Sequence, residues 1–156
     1  MFDIVFSHGK IFDGTGAPAY KADVGIESDR IKAIGDLSGV ETGEQIDVAG
    51  LCVAPGFIDI HTHSDAVLFA DGRADSQVCQ GVTSEVIGQC GFSFAPVTDA
   101  KRMEALMPGR LPGVDVTWET FDGYLDHLGM HDLGVNVMGM LGHGTVHGAV
   151  LGDEMR

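Results

Sequence analysis

The sequence predicts an α/β fold in two parts, and three observations predict it. Over residues 1–54, short β-branched runs are separated by turn formers at hairpin spacing. From residue 57 onward, apolar strand-like runs alternate with helical stretches, which implies a parallel sheet. The first of those runs, Phe57 to His61, is apolar on both faces and turns polar abruptly at its C-terminal end. That pattern suits a parallel strand covered on both sides.

In the first part the strands are Ile4-Val5-Phe6, Lys10-Ile11-Phe12, Asp23-Val24-Gly25-Ile26, Arg30-Ile31-Lys32-Ala33-Ile34 and Gln45-Ile46-Asp47-Val48. His8-Gly9, Asp13-Gly14-Thr15-Gly16, Glu27-Ser28-Asp29 and Ser38-Gly39 punctuate them. The links are too short for crossover helices, so this unit is expected to be antiparallel. Ala54-Pro55-Gly56 is a turn that opens the second part.

There, Phe57 to His61 is the first strand and Asp75 to Gln80 the end of its helix. Thr83 to Ile87 is the second strand, followed by a loop from Gly88 to Pro96 that is rich in glycine and aromatics. Residues 99–107 read as a helix broken by Pro108 and Pro112. Trp118, Phe121, Leu125 and Leu128 follow helical spacing behind a Thr117 N-cap, a stripe that suits core packing better than a ligand set. Val135 to Leu141 is the third strand, ending at Gly142-His143.

Candidate chemistry gathers at the strand ends, where α/β barrels place it. Side chains alternate along a strand, so His61 and His63 are expected on one side, where both imidazoles can reach one cation. Imidazole suits zinc, iron and nickel. Asp59 and Asp65 flank the pair as outer partners or oxygen donors. Cys90 lies in Gly-Gln-Cys-Gly, whose glycines let the backbone approach closely. His143 ends the third strand at the same rim. Each has a plainer reading: two polar residues at a strand end, a buried structural thiol, and a satisfied histidine in a tight turn. Ser64 has neither a neighbouring base nor a nucleophile elbow, so Ser64 and Asp65 read as rim residues. His8, His127 and His131 read as surface or turn residues, and Cys52 and Cys79 as core.

Val53-Ala54-Pro55-Gly56-Phe57-Ile58-Asp59-Ile60-His61-Thr62-His63 resembles the segment that opens the barrel in the amidohydrolase superfamily. Gln80-Gly81-Val82-Thr83-Ser84-Glu85-Val86-Ile87-Gly88-Gln89-Cys90-Gly91-Phe92-Ser93-Phe94-Ala95-Pro96 resembles the second-strand region of N-acyl-D-amino-acid deacylases, the D-aminoacylases. Leu141-Gly142-His143-Gly144-Thr145 is similar to that family's third-strand end. The resemblance implies that residues 55–156 are the N-terminal part of a (β/α)8 TIM-like metal-dependent hydrolase barrel. It also implies that residues 1–54 are a segment of a small antiparallel β-sandwich.

By the same resemblance His61, His63 and Cys90 are zinc ligands, and His143 contacts substrate or orients the metal site. His147 stands where the family usually shows arginine, a departure that bears on recognition of a substrate carboxylate. The implied reaction is zinc-dependent deacylation of a small N-acyl-D-amino acid. The general base, an aspartate near the last strand, and later histidine ligands are not in this sequence. Two alternatives stand beside this reading. One is a catalytically incomplete fragment acting as a folding or interaction module, its open sheet edge paired in a homo-oligomer or with a missing C-terminal chain. The other is a cyclic-amide hydrolase of the dihydropyrimidinase type. Cys90 argues against it, because those sites resemble all-histidine and carboxylated-lysine ones.

A complete barrel needs about 250 residues, with roughly 200 a practical minimum, and the sequence has 156. The expectation is therefore the N-terminal portion of a larger enzyme, inactive by itself. The formal net charge of −14, from 9 basic and 23 acidic residues, argues against nucleic-acid partners and anionic membrane surfaces. No long apolar run suggests a transmembrane helix, and Met1-Phe2-Asp3-Ile4-Val5 lacks the basic start of a signal peptide. Three cysteines without metal-finger spacing suit a reducing cytoplasm.

Overall fold

The computed structural model describes residues 1–98 and 116–152. The expected helix at 99–107 and its proline breaks lie outside the described residues. The chain forms two compact units, Met1–Pro55 and Gly56–Arg156.

The first unit is one five-stranded sheet: β1 (Phe2–Ile11), β2 (Tyr20–Glu27), β3 (Arg30–Gly35), β4 (Thr42–Asp47) and β5 (Cys52–Val53). Its order is β3-β2-β1-β4, with β5 also paired to β1. Hairpins make β1–β2 and β2–β3 antiparallel, but β4 and β5 run parallel to β1. The expectation of a purely antiparallel unit is corrected to a mixed sheet. Short links fix the pairing of consecutive strands only. β1 and β4 are separated by the whole β2–β3 hairpin, which carries the chain back without a crossover helix.

Two runs expected as separate strands are one. β1 passes straight through His8-Gly9, where the ladder to β2 shifts register and His8 takes φ 63°. The polar pair is a bulge, not a turn. Two aspartates hold it. The His8 backbone N–H donates to Asp23 Oδ1 at 2.8 Å, and His8 Nδ1 lies 3.0 Å from Asp47 Oδ1. Val5, Ser7 and Ile11 alternate into the buried face with Val24.

Hydrogen bonding and attraction to Asp47 raise the His8 pKa above 6.5, and the same contact lowers that of Asp47 below 3.8. A raised histidine stabilises below its unfolded pKa and loses that contribution as pH rises through its folded one. A lowered aspartate stabilises above its unfolded pKa and loses that contribution as pH falls. The pair therefore supports the bulge between the two unfolded values, 3.8 and 6.5. A His8→Asn variant keeps a residue tolerant of positive φ. Thermal unfolding should show a larger wild-type advantage near the middle of that window than two units above it. An equal difference at both pH values would rule the pair out.

The second unit holds a parallel three-stranded sheet in the order β6 (Phe57–Asp59), β7 (Val82–Ile87), β8 (Asn136–Gly139). Among the described residues four helices accompany it: α1 (Val67–Ala70), α2 (Asp75–Val78), α3 (Phe121–Leu128) and α4 (His143–Leu151). The core lies on one side of the sheet, where Ile87 and Val135 meet Leu68, Phe69, Phe94, Trp118, Tyr124 and Leu128. Phe69 stacks on Trp118 at 5.2 Å.

Five expectations are corrected here. β6 stops at Asp59, because the Asp59 carboxylate accepts the backbone N–H of His61 at 3.0 Å and turns the chain. β6 is also an edge strand, and Phe57 and Ile58 are exposed rather than covered on both faces. The N-cap of α3 is Thr120, which accepts from the Gly123 N–H at 3.1 Å, rather than Thr117. The helix starts late because the Glu119 carbonyl accepts the Val97 N–H at 2.9 Å and the Trp118 indole donates to the Phe94 carbonyl at 2.6 Å. Those contacts hold residues 118 and 119 outside the helix. Cys52 and Cys79, read as core, are exposed, one on the two-residue β5 and the other capping the single-turn α2. His127 is half-buried rather than at the surface, packed 5.1 Å from Trp118.

No helix among the described residues is long and apolar enough to cross a membrane.

Candidate metal centre

Two loops build the site: residues 60–66 after β6 and residues 88–97 after β7. With β6 ending at Asp59, strand alternation cannot be what unites the histidines. Hydrogen bonds to β7 do it. The Thr62 N–H donates to the Val86 carbonyl at 3.3 Å. The Gln89 amide donates to the carbonyls of Ile60, at 2.9 Å, and Val86, at 3.1 Å. The Gly88 N–H donates to Asp65 Oδ1 at 3.0 Å, and the Ser64 hydroxyl donates to Glu85 Oε2.

These bonds leave His61, His63 and Cys90 exposed on the other side, with one donor atom from each within 4.8 Å of the rest. His61 Nε2 lies 3.2 Å from Cys90 Sγ, and the two imidazoles meet edge-on at 5.6 Å. Cys90 adopts φ 55°, a left-handed conformation that costs a non-glycine residue roughly 1–2 kcal/mol. Such strain is kept where the surroundings fix a side chain in one direction, and here the thiol points at His61.

A zinc ion with Zn–N near 2.0–2.1 Å and Zn–S near 2.3 Å in tetrahedral geometry separates N and S by roughly 3.5 Å. The observed 3.2 Å is within a few tenths of that. One thiol and two imidazoles are a borderline-soft donor set of the kind zinc takes, with a fourth position left open. The residues present therefore fit the metal.

Ser64 and Asp65, read as rim residues, are buried at 5% and 4% exposure. Burial pushes the Asp65 carboxyl up, against the pull of the Gly88 N–H and nearby His63. Burial, with Asp65 nearby, also pushes the Tyr124 phenol up. Sequence reasoning passed over Glu85, which is 1% exposed within β7. An acid in the middle of an otherwise uncharged strand is a signal that could have found it.

His143 and His147 lie outside the donor cluster. They sit one turn apart on α4, their rings 6.3 Å from each other, His143 exposed and His147 half-buried. The third strand, expected to reach Leu141, ends at Gly139, and Gly142 is the N-cap of this helix. The Gly91 carbonyl, next to Cys90, accepts the N–H groups of Gly144 at 2.8 Å and Thr145 at 3.2 Å. Ser93 and Thr145 exchange two further bonds, at 2.9 and 3.1 Å. The helix carrying both histidines is thereby tied to the Cys90 loop.

Comparison with known proteins bears directly on this arrangement. The chain is 41% identical over 155 residues to a D-aminoacylase of Alcaligenes xylosoxydans xylosoxydans, a match that covers 99% of this chain and 32% of that enzyme. A D-aminoacylase crystal structure superposes with TM-score 0.86 at 41% identity, over 98% of this chain and 32% of that one. An N-acyl-D-glutamate deacylase of Bordetella bronchiseptica, solved with zinc and a phosphonate mimic of the tetrahedral intermediate, gives TM-score 0.83 at 33% identity over 97% and 32% of the chains. The chain thus spans about a third of the length of these relatives. The amidohydrolase family model matches residues 44–156, which takes in both loops and all three donors. With sequence, superposition and domain match in agreement, this chain is a member of the amidohydrolase family.

Proposed function

We propose that this chain is the N-terminal part of a zinc-dependent N-acyl-D-amino-acid deacylase. In this reading it supplies the first strands of a (β/α)8 barrel and part of a flanking β-sandwich. The observation that carries the proposal is the convergence of Cys90, His61 and His63. A cysteine in the donor set favours a deacylase over the cyclic-amide alternative. The zinc and tetrahedral mimic bound by the Bordetella bronchiseptica relative support the choice of metal and reaction class.

Zinc bound there would polarise the amide carbonyl and make water at the site a better nucleophile. This chain's residues do the holding. His61 and His63 offer imidazole nitrogens, Cys90 offers sulfur, and the hydrogen bonds to Val86, Gly88 and Gln89 keep the two loops in register. We assign the general base to no residue of this chain, and propose that residues 1–156 alone are inactive. The unbridged Cys52, Cys79 and Cys90 support a cytoplasmic setting.

The test is hydrolysis of N-acetyl-D-amino acids and of cyclic amides by the full-length protein, before and after chelation. The proposal expects D-selective deacylation that a chelator abolishes and zinc restores. Turnover of cyclic amides alone, or activity indifferent to chelation, would refute it.

His147 carries a prediction within this reading. Arginine grips a carboxylate through two parallel hydrogen bonds, and imidazole cannot. If α4 presents His147 to the substrate carboxylate, His147→Arg in the full-length enzyme should lower KM by roughly tenfold, the value of one charge-assisted hydrogen bond. Unchanged KM would remove His147 from the substrate site.

A further inference from the structure

Among the described residues six polar or charged side chains are buried, and four of them, Ser64, Asp65, Glu85 and Gln89, lie in the seam that joins the two metal-bearing loops. Burying two carboxylates in one small region costs stability unless every oxygen is satisfied. Here one is not. Glu85 Oε2 accepts the Ser64 hydroxyl, but Glu85 Oε1 has no hydrogen-bond partner among the described residues. Its neighbour on the same face of β7, Ile87, belongs to the apolar core, and Val137, its partner across the ladder on β8, packs against that core. A leucine at position 85 would suit those surroundings better than a carboxylate. A sequence that breaks a local rule without gain in stability does so most often at a functional site.

The bond Glu85 makes indicates which function. Ser64 follows His63 directly, and Glu85 leads through β7 to the Gly88-Gln89-Cys90 turn. The Ser64–Glu85 bond therefore joins the histidine-bearing loop to the strand that carries the cysteine. Asp65 and Gln89 make the neighbouring ties, to the Gly88 N–H and the Ile60 carbonyl. We infer that Glu85 is a positioning residue: through its bond to Ser64 it fixes His63 relative to Cys90, and so tunes metal affinity without touching the metal. The inference rests on the metal-centre reading above.

The experiment is a cobalt(II) titration of the full-length protein, with thermal unfolding of the metal-free form as a second readout. Outer partners of metal ligands are worth about 10–100-fold in affinity. Glu85→Leu is expected to weaken cobalt binding by that factor while the metal-free protein melts no lower than wild type. Glu85→Gln, which keeps an acceptor for Ser64, should bind close to wild type. Ser64→Ala should weaken cobalt binding as Glu85→Leu does, and it decides the matter if the leucine variant does not fold. The inference fails if Glu85→Leu or Ser64→Ala binds cobalt like wild type. It also fails if glutamine is as poor as leucine, or if weakened binding only follows a lowered melting temperature. A wild type that binds no cobalt overturns the metal-centre reading itself, and this inference with it.

Discussion

If the full-length protein is the proposed zinc-dependent deacylase, replacing Cys90 by alanine is expected to remove most of the zinc and the activity together. Losing a direct donor should exceed the about 10–100-fold that an outer partner contributes. His61→Ala should act in the same direction, because its Nε2 lies 3.2 Å from the thiol. The two losses should not add, since either leaves the same centre incomplete. Metal analysis of the purified variants checks this. A double variant of His61 and Cys90 that retains wild-type zinc would mean the metal sits elsewhere.

Gly88→Ala should have the second largest effect, and for a reason that is almost entirely steric. Gly88 has φ 81°, and an added Cβ would stand 2.0 Å from the Met140 carbonyl oxygen. That oxygen belongs to backbone just beyond β8 and cannot rotate away. The left-handed conformation alone costs roughly 1–2 kcal/mol, and the overlap adds at least a comparable amount, so a loss of about 3 kcal/mol or more is expected. Gly81 gives the control within the same unit. Its φ is 83°, but an added Cβ would only touch the Phe57 ring at 3.4 Å, ordinary contact. Gly81→Ala should therefore cost only the conformational part. Denaturant unfolding that ranks the two substitutions equal would show that the approach of β7's end to residue 140 is looser than described. Because Gly88 also donates to Asp65, the same variant should weaken metal binding.

The parts of this fold legible in the sequence are those set by short-range pattern. β8 falls within the apolar run that announced it, β7 matches its run with one residue more, β2 and β3 each contain their β-branched run, and β4 overlaps the run from Gln45 to Val48. The grouping of His61, His63 and Cys90 was legible too, though by resemblance and not by the strand argument, since the Asp59 carboxylate ends β6 before either histidine. What the sequence hid depends on tertiary partners. His8-Gly9 looks like a turn until Asp23 and Asp47 are seen to clamp it as a bulge. Thr117 reads as the N-cap until the Phe94 carbonyl takes the Trp118 indole and the Glu119 carbonyl takes the Val97 N–H. α4 escaped notice because its glycines at 144 and 148 disguise a helix whose start is held by the Gly91 carbonyl. Glu85 went unremarked because burial of a charge depends on what packs over it.

The central claim is that one thiolate and two imidazoles of this chain share a metal. X-ray absorption spectroscopy at the zinc edge, on full-length protein loaded with one equivalent of zinc, tests it most directly. The account predicts a mixed first shell with one sulfur near 2.3 Å and nitrogen near 2.0–2.1 Å, the sulfur component vanishing in Cys90→Ala. A first shell of nitrogen and oxygen only in the wild type would contradict it.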